Sequence, residues 1–321
     1  MEKTLRDRPF VSVVIAARNA AAHLEDCLQS VLGQQYPRDA YEVIVVDNGS
    51  TDDTAAIAAR LGVRVVTQPR PGVARARNAG VLASRGEIVA FVDSDCVAEP
   101  DWLGNLLAGA EDPKVGCLAG VIIARETDHL LPHWFEYRRF TDQARLLSFT
   151  PPVAAGANVA YRRRVFETVG LYDERFFAAE DNDIFWRMLC TDRFIVRFQQ
   201  NARVRHAHPR RFRHVVRRAF VEGRGLALFR WKHRKDFCKR YTEVGRNIHA
   251  LILNSLALFI YPQQVVQEAR RGLPLSRCLV YPLLDTAYYV SRSTGMLREI
   301  LRARFTNALP DMPPLRMPGH E

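Results

Sequence analysis

The sequence predicts an α/β fold, a largely parallel sheet flanked by helices, and two observations carry that reading. Strand-like and helix-like segments alternate four times within the first 95 residues, the order that produces a parallel, three-layer sheet with right-handed crossovers. The fourth of these strands, Ile88-Val89-Ala90-Phe91-Val92, is apolar without interruption, as strands covered on both faces are. It runs directly into Asp93-Ser94-Asp95.

Each element has its own signal. Phe10 to Ala17 is the first buried strand, and Ala21 to Leu32 places Leu24, Leu28, Val31 and Leu32 at helical spacing. Tyr41 to Val46 is the second strand. Its end, Asp47-Asn48-Gly49-Ser50-Thr51-Asp52, is a polar turn with several N-caps for a helix over Thr54 to Leu61. Val63 to Val66 is the third strand, and the alanine-rich helix Gly72 to Ser84 returns the chain to Ile88. A helix from Asp101 to Ala110, a strand from Val115 to Ile123 and a helix from Trp134 to Phe149 follow, the last broken by Pro151-Pro152. Glu180-Asp181-Asn182-Asp183 opens a further helix through Ile184, Phe185, Met188 and Leu189, and a strand or loop ends in Val204-Arg205-His206-Ala207-His208.

Ligands of open α/β sheets sit beyond the carboxyl ends of the strands, which is where Asp93 and Asp95 arrive. If the chain stays extended there, residues two apart point the same way. Two like-directed carboxylates are costly unless a cation neutralises them, and a hard divalent ion with a diphosphate as co-ligand is the usual partner. The same acids would also serve as a strand-end turn capping the helix near Pro100. Equivalent alternatives stand elsewhere. The small residues around Gly156 let backbone approach a ligand or simply turn the chain. The acids at Glu180 to Asp183 suit a helix N-terminus without any catalytic reason. His206 and His208 fit a solvated basic segment as well as a metal. The dinucleotide fingerprint is absent after the first strand, where the chain reads Ala16-Ala17-Arg18-Asn19, and there is no phosphate-binding lysine loop.

Of the 321 residues, 48% are hydrophobic and 25% charged, which is ordinary globular composition, enough for one large domain and an appendage. Six scattered cysteines without a Cys-x-x-Cys pair argue against a disulfide framework or structural zinc and for a reducing, cytoplasmic compartment. Met1 to Pro9 lacks the apolar core of a signal peptide. No stretch reaches the roughly 18 to 20 apolar residues that cross a bilayer.

Read together, Val13-Val14-Ile15 with Asn19, Val45 to Asp52, Ala76-Arg77-Asn78-Ala79-Gly80, Asp93-Ser94-Asp95, Gly156-Ala157-Asn158 and Glu180-Asp181 resemble the inverting family 2 glycosyltransferases of the GT-A fold. The match runs in order from about residue 9 to about residue 208. Each motif alone is weak; six in order are specific. The resemblance implies a nucleotide-diphospho-sugar donor, with uridine the commonest nucleotide, and a glycan or lipid-linked acceptor. It implies that Asp47 and Asp93 hold base and ribose, and that Asp95 holds Mg²⁺ or Mn²⁺ on the diphosphate with His206 completing the coordination or touching the diphosphate. Arg77 is implied near the nucleotide, with Ala17, Asn19, Ser94, Gly156 and Asn158 completing the donor site. Asp181 corresponds to the base that takes the acceptor proton, and Glu180 is the second choice. One common form of the family has aspartate where this chain has Asn48.

The resemblance fades after His208. The net charge of +11 is concentrated there. Arg210, Arg211, Arg213, Arg217 and Arg218 alternate with Phe212, Val215, Val216 and Phe220, and Arg230, Lys232, Arg234, Lys235, Lys239 and Arg240 follow. A solvated face, a nucleic-acid groove and a surface held to anionic lipid all fit such a pattern. Lipid fits best, because Ile248 to Tyr261 and Leu279 to Val290 have lengths suited to lying in a membrane interface. Attachment to the inner face of the cell membrane is the expectation. Nucleic acid fits poorly, since none of its familiar reading modules is present. Residues 1–230 are therefore expected to form the transferase domain and 231–321 a helical, membrane-associating extension. The rival of different class is a catalytically silent basic binding protein that docks a nucleotide sugar or a membrane on a transferase-like scaffold. A nucleotidyltransferase of related architecture would want a glycine-rich basic loop after the first strand, which Ala16 to Asn19 does not supply.

Overall fold

The computed structural model of the chain describes residues 9–235 and 244–306. The polar start at residues 1–8, Lys239 and Arg240 of the basic run, and residues 307–321 of the expected extension lie outside the described residues.

The alternating first part forms β1 (Val11–Ala17), α1 (Leu24–Leu32), β2 (Tyr41–Asp47), α2 (Thr54–Arg60), β3 (Arg64–Thr67), α3 (Val73–Ala83) and β4 (Ile88–Val92). β1 runs parallel to both β2 and β4, with Ala17 level with Asp47. Alternate residues of these strands enter opposite cores, Val13 and Ile15 on one face of the sheet and Val14, Val89 and Phe91 on the other. That two-sided burial is why β1 and β4 read as unbroken apolar runs.

Next come β5 (Cys96–Ala98), α4 (Trp102–Leu106), β6 (Val115–Ala124), α5 (Leu130–Tyr137), α6 (Gln143–Leu147), β7 (Asn158–Arg162), α7 (Arg163–Val169), α8 (Glu180–Leu189) and β8 (Ile195–His206). The sheet has eight strands in the order β3-β2-β1-β4-β7-β6-β8-β5. β7 is antiparallel to β4 and β6, so the sheet is mixed, with parallel pairs on the β1 side and again between β6 and β8. The architecture is the expected GT-A-type α/β layer arrangement with C-terminal helices.

Two local readings are corrected. Asp93 to Asp95 is not extended: β4 ends at Val92, and Cys96 N–H donates back to Asp93 O at 3.0 Å, closing a turn. The single helix expected over Trp134 to Phe149 is two. Arg139, at a φ of 54°, ends the first, and Asp142 caps the second by accepting from Arg145 N–H.

The C-terminal part consists of α9 (Phe212–Lys232), α10 (Val244–Leu256), α11 (Tyr261–Arg270) and α12 (Leu275–Thr306). The expected domain boundary at residue 230 falls within α9. α9 and α12 cross at backbone contact. A Cβ on Gly223 would stand 1.9 Å from Arg292 O, and one on Gly295 2.1 Å from Phe220 O, so only glycine fits either side. The far end of α9 is pinned to α8 through Asp183, which is fully buried and meets Lys232 Nζ at 2.6 Å and both Arg187 Nε and His233 Nε2 at 2.9 Å. Burial works against this charge, but His233, Arg187 and Lys232 outweigh it and hold the carboxyl below the usual range.

Leu279 to Val290, expected as an interfacial segment, is half committed to the protein. Tyr281, Leu284 and Tyr288 are buried with Trp134, Phe135 and Val215, leaving Leu279, Leu283 and Tyr289 outward. The Ile248 to Tyr261 segment keeps more apolar surface, with Ile252, Leu253 and Leu256 exposed and Phe259 81% exposed. Among the described residues no helix is long and apolar enough to cross a membrane.

Candidate active site

Arg77 is the hub around which the predicted acids gather. It is carried on α3 and is only 4% exposed. Its Nη1 donates to Glu180 Oε1 at 2.7 Å and to Asp181 Oδ1, and its Nη2 donates to Asp93 Oδ1 at 3.2 Å. One guanidinium thus serves three carboxylates from two distant segments, which its planar fork allows. Glu180 is buried beside it. Burial and the neighbouring Asp181 push the Glu180 carboxyl up to about 7, against the pull of Arg77.

Asp181 is the more accessible of the pair, its side chain 20% exposed. The chain enters α8 through Ala179 in the left-handed region, at a φ of 64°, which delivers both acids to Arg77. Gly156 N–H donates to Asp181 Oδ2 at 2.9 Å. A Cβ at position 156 would lie 2.6 Å from Asp181 Oδ1 and 2.5 Å from Arg77 Nη2, so a side chain there would displace the two groups. Burial raises the Asp181 carboxyl above the usual range, with Arg77 and the Gly156 amide opposing it. Such an acid is a stronger base than a solvated carboxylate. It opens onto a cavity of about 580 Å³ between the sheet domain, α9 and α12.

Asp95 lies on the other branch of the turn. Its Oδ1 is 3.5 Å from His206 Nε2, brought there by the pairing of β5 with β8, in which Cys96 is level with His206. Cys96 Sγ completes a group whose ligand atoms lie within 4.8 Å of one another. Burial holds the Cys96 thiol well above its ordinary value, so it stays a protonated, soft sulfur. The carboxylate and imidazole suit Mn²⁺ or Mg²⁺ with diphosphate oxygens filling the remaining positions. Asp95 also borders a second cavity, of about 540 Å³, with His208, Arg210 and His214.

His208, weighed with His206 in the sequence as a solvated residue or a metal ligand, is enclosed instead. It stacks on Phe135 at 5.0 Å between ring centroids and lies 4.8 Å from the His206 ring, buried, with neither nitrogen partnered among the described residues. Burial, helped by His206 and Arg218, pushes it down to about 3. β8 ends at His206, so His208 lies just beyond the strand.

The remaining predicted donor residues divide by what they touch. Asp47 ends β2 and accepts from Ser50 N–H at 3.2 Å. Asn19, at a φ of 50°, accepts from Thr51 N–H at 2.8 Å, tying the Asp47 to Asp52 turn to the end of β1, where Ala17 is buried. Ser94 is half-buried in the turn between the two acids. One expectation is corrected. Asn158 is fully buried and spends its amide on protein: Trp102 Nε1–H donates to it at 2.8 Å, and it donates to Val121 O and Ala202 O, each at 2.9 Å. It braces β7 rather than facing a ligand. Arg77 faces carboxylates, Asp93 among them.

A family model described as glycosyl transferase family 2 matches residues 12–170. Glycosyltransferase AglE of Haloferax volcanii is 28% identical over 313 residues, which cover 92% of this chain and 97% of that one. Pre-mycofactocin glycosyltransferase of Mycobacterium tuberculosis is 30% identical over 232 residues, 68% of this chain but only 47% of the relative. Among solved structures, the mannosyltransferase PcManGT of Pyrobaculum calidifontis, in complex with GDP-Man and Mn²⁺, is similar with a TM-score of 0.62 at 22% identity, over 95% of this chain and 89% of that one. Glucosyl-3-phosphoglycerate synthase of Mycobacterium tuberculosis, in complex with Mn²⁺, UDP and phosphoglyceric acid, has a TM-score of 0.52 at 21% identity, over 70% and 79%. At these identities the structural likeness is one of fold.

Proposed function

This chain belongs to glycosyl transferase family 2, and on that premise we propose that it moves a sugar from a uridine-diphospho-sugar to an acceptor hydroxyl with inversion, in the assembly of an envelope glycan or glycolipid. The observation that carries the reading is the contrast between Asp181 and Asp95. Asp181 faces a cavity with its carboxylate oriented by Gly156 N–H and Arg77. Asp95 pairs with His206 on the turn that begins at Asp93, which itself meets Arg77.

Inversion is one in-line displacement. The acceptor oxygen bonds to the anomeric carbon as the bond from that carbon to the donor phosphate breaks, its electron pair leaving with the nucleoside diphosphate. Asp181 takes the acceptor proton. Glu180, buried and pushed up to about 7, shares the Arg77 guanidinium with Asp181 and helps to fix its position. Asp95 and His206 would hold the divalent cation, which when bound neutralises charge on the leaving diphosphate. Asp47 and Asp93 would bind the nucleoside.

The exposed apolar residues of α10 and the turn after it support attachment to the surface of an anionic membrane, where an amphiphilic acceptor would reside.

The test is a panel of uridine, guanosine and thymidine diphospho-sugars with Mn²⁺, read out as released nucleotide. Turnover of a uridine donor that stops with a chelator is expected. Turnover of no donor would overturn the reading, and turnover confined to another base would move the nucleotide assignment.

A further inference from the structure

The cavity that Asp181 faces has a charge pattern that transfer to a neutral sugar hydroxyl does not require. Five arginines line it against two carboxylates, Asp181 and Glu222. Glu222 is already spent: Arg218 Nε donates to it at 2.8 Å, and the Tyr288 hydroxyl donates to its other oxygen. Arg145, on the sheet-domain wall, has no carboxylate partner among the described residues; it donates to Arg138 O at 2.5 Å. Arg292, on α12, has its Nε buried with no partner there. Arg145 is exposed and Arg292 half-buried, and the carboxylate that Arg292 acts on, Glu222, is also held by Arg218; a tetrahedral anion with several acceptor oxygens is a ligand that two such arginines suit. Much of the remaining lining is apolar, with Phe140, Phe149 and Phe229 among it, beside polar Thr141, Thr150 and Asn182, which suits a carbon chain or ring attached to that anion.

We infer that the acceptor carries a phosphate group, bound by Arg145 and Arg292 across the cavity from Asp181. The inference rests on the transfer reading above and names the acceptor's class: a hydroxyl-bearing molecule with a phosphate handle, either a lipid phosphate or a soluble phosphate ester. The handle stays intact. Only the hydroxyl oxygen forms a new bond, to the anomeric carbon, and its proton passes to Asp181.

The experiment is titration calorimetry of the full chain, with UDP and Mg²⁺ present at saturation so that the donor side is filled. The probes are dodecyl phosphate, dodecyl maltoside and inorganic phosphate, each below any micelle-forming concentration. Dodecyl phosphate is expected to bind at least tenfold more tightly than dodecyl maltoside. Arg292→Gln and Arg145→Gln are each expected to weaken it about tenfold, as loss of a charged hydrogen bond does. Arg292→Lys should fall between parent and Gln. Unchanged UDP affinity and melting temperature certify each variant's fold, and the two Gln variants lie on separate elements, so misfolding of one leaves the other. Inorganic phosphate binding as tightly as dodecyl phosphate identifies a soluble ester; much weaker binding identifies a lipid phosphate. Equal affinity for dodecyl phosphate and dodecyl maltoside, or Gln variants that bind as the parent does, would overturn the inference. Failure of the transfer reading is separately visible, as absence of nucleotide release from every donor while phosphate still binds.

Discussion

Arg77 donates through one nitrogen to both Glu180 and Asp181, so two adjacent helix-terminal acids share a single counter-charge. They are not equivalent. Glu180 is enclosed, whereas Asp181 also accepts from Gly156 N–H and reaches the cavity. Asp181→Asn should therefore leave nucleotide affinity near the parent value while lowering kcat by about 10² to 10⁴, the range of a lost general base. Calorimetry with UDP and a transfer assay measure the two. Full turnover by the variant would remove Asp181 as the base.

Arg77→Lys tests the hub. A lysine ammonium is a single point charge and cannot span Asp93, Glu180 and Asp181 as the fork does. Stranding buried carboxylates costs about 3 to 5 kcal/mol in comparable cases. Urea denaturation should register a loss of that order together with a collapse of kcat. A variant as stable as the parent would show that the three contacts contribute little.

The Glu180 carboxyl, pushed up to about 7 by burial and Asp181, gives a signed pH dependence. Between the unfolded value of 4.5 and about 7 the folded chain holds a proton that the unfolded chain has released, so the contribution of this group to stability falls as pH rises through that window. Glu180→Gln carries no titrating proton. Its stability profile from pH 5 to 7 should be flatter than the parent's, as followed by urea midpoints. Parallel profiles would place the proton elsewhere.

Asp95 and His206 are joined across β5 and β8 at 3.5 Å, and their joint role is separable from that of the base. Asp95→Ala should abolish the enhancement of UDP affinity by Mn²⁺, and His206→Ala should weaken it. Binding in the presence of a chelator should match the parent in both. Retained Mn²⁺ enhancement in Asp95→Ala would exclude it as a ligand.

Much of this was legible in the chain because the sheet is buried on both faces. β1 and β4 announce themselves as apolar runs, and the acids at the carboxyl ends of β2 and β4 stand where the order of elements puts a ligand. Side-chain direction was less legible. Asn158 and Gly156 lie two residues apart in one motif, yet one braces β7 and the other holds Asp181, a difference fixed by Trp102 and Ala202 from remote segments. β5 has three residues, too few for any alternation to show, and it is the strand that brings Asp95 to His206. The arginines lining the cavity with Asp181 come from the turn before α6 and from α6, α9 and α12, so no single stretch of sequence carries them.

The apolar surface of α10 gives the last prediction. Phe259 stands 81% exposed, with Ile252, Leu253 and Leu256 exposed one to two turns before it. Burying one such side chain in a membrane interface stabilises by about 1.5 to 3 kcal/mol, so losing two should reduce partitioning more than a hundredfold. Leu253→Ser combined with Phe259→Ser should therefore abolish sedimentation with vesicles of phosphatidylglycerol while leaving nucleotide release from the donor intact. The parent should bind neutral phosphatidylcholine vesicles more weakly and release from anionic ones as salt rises, since the arginine-rich face of α9 contributes a screened attraction. A parent chain that ignores both vesicle types at low salt would rule out membrane attachment and leave Phe259 as a contact for another protein surface.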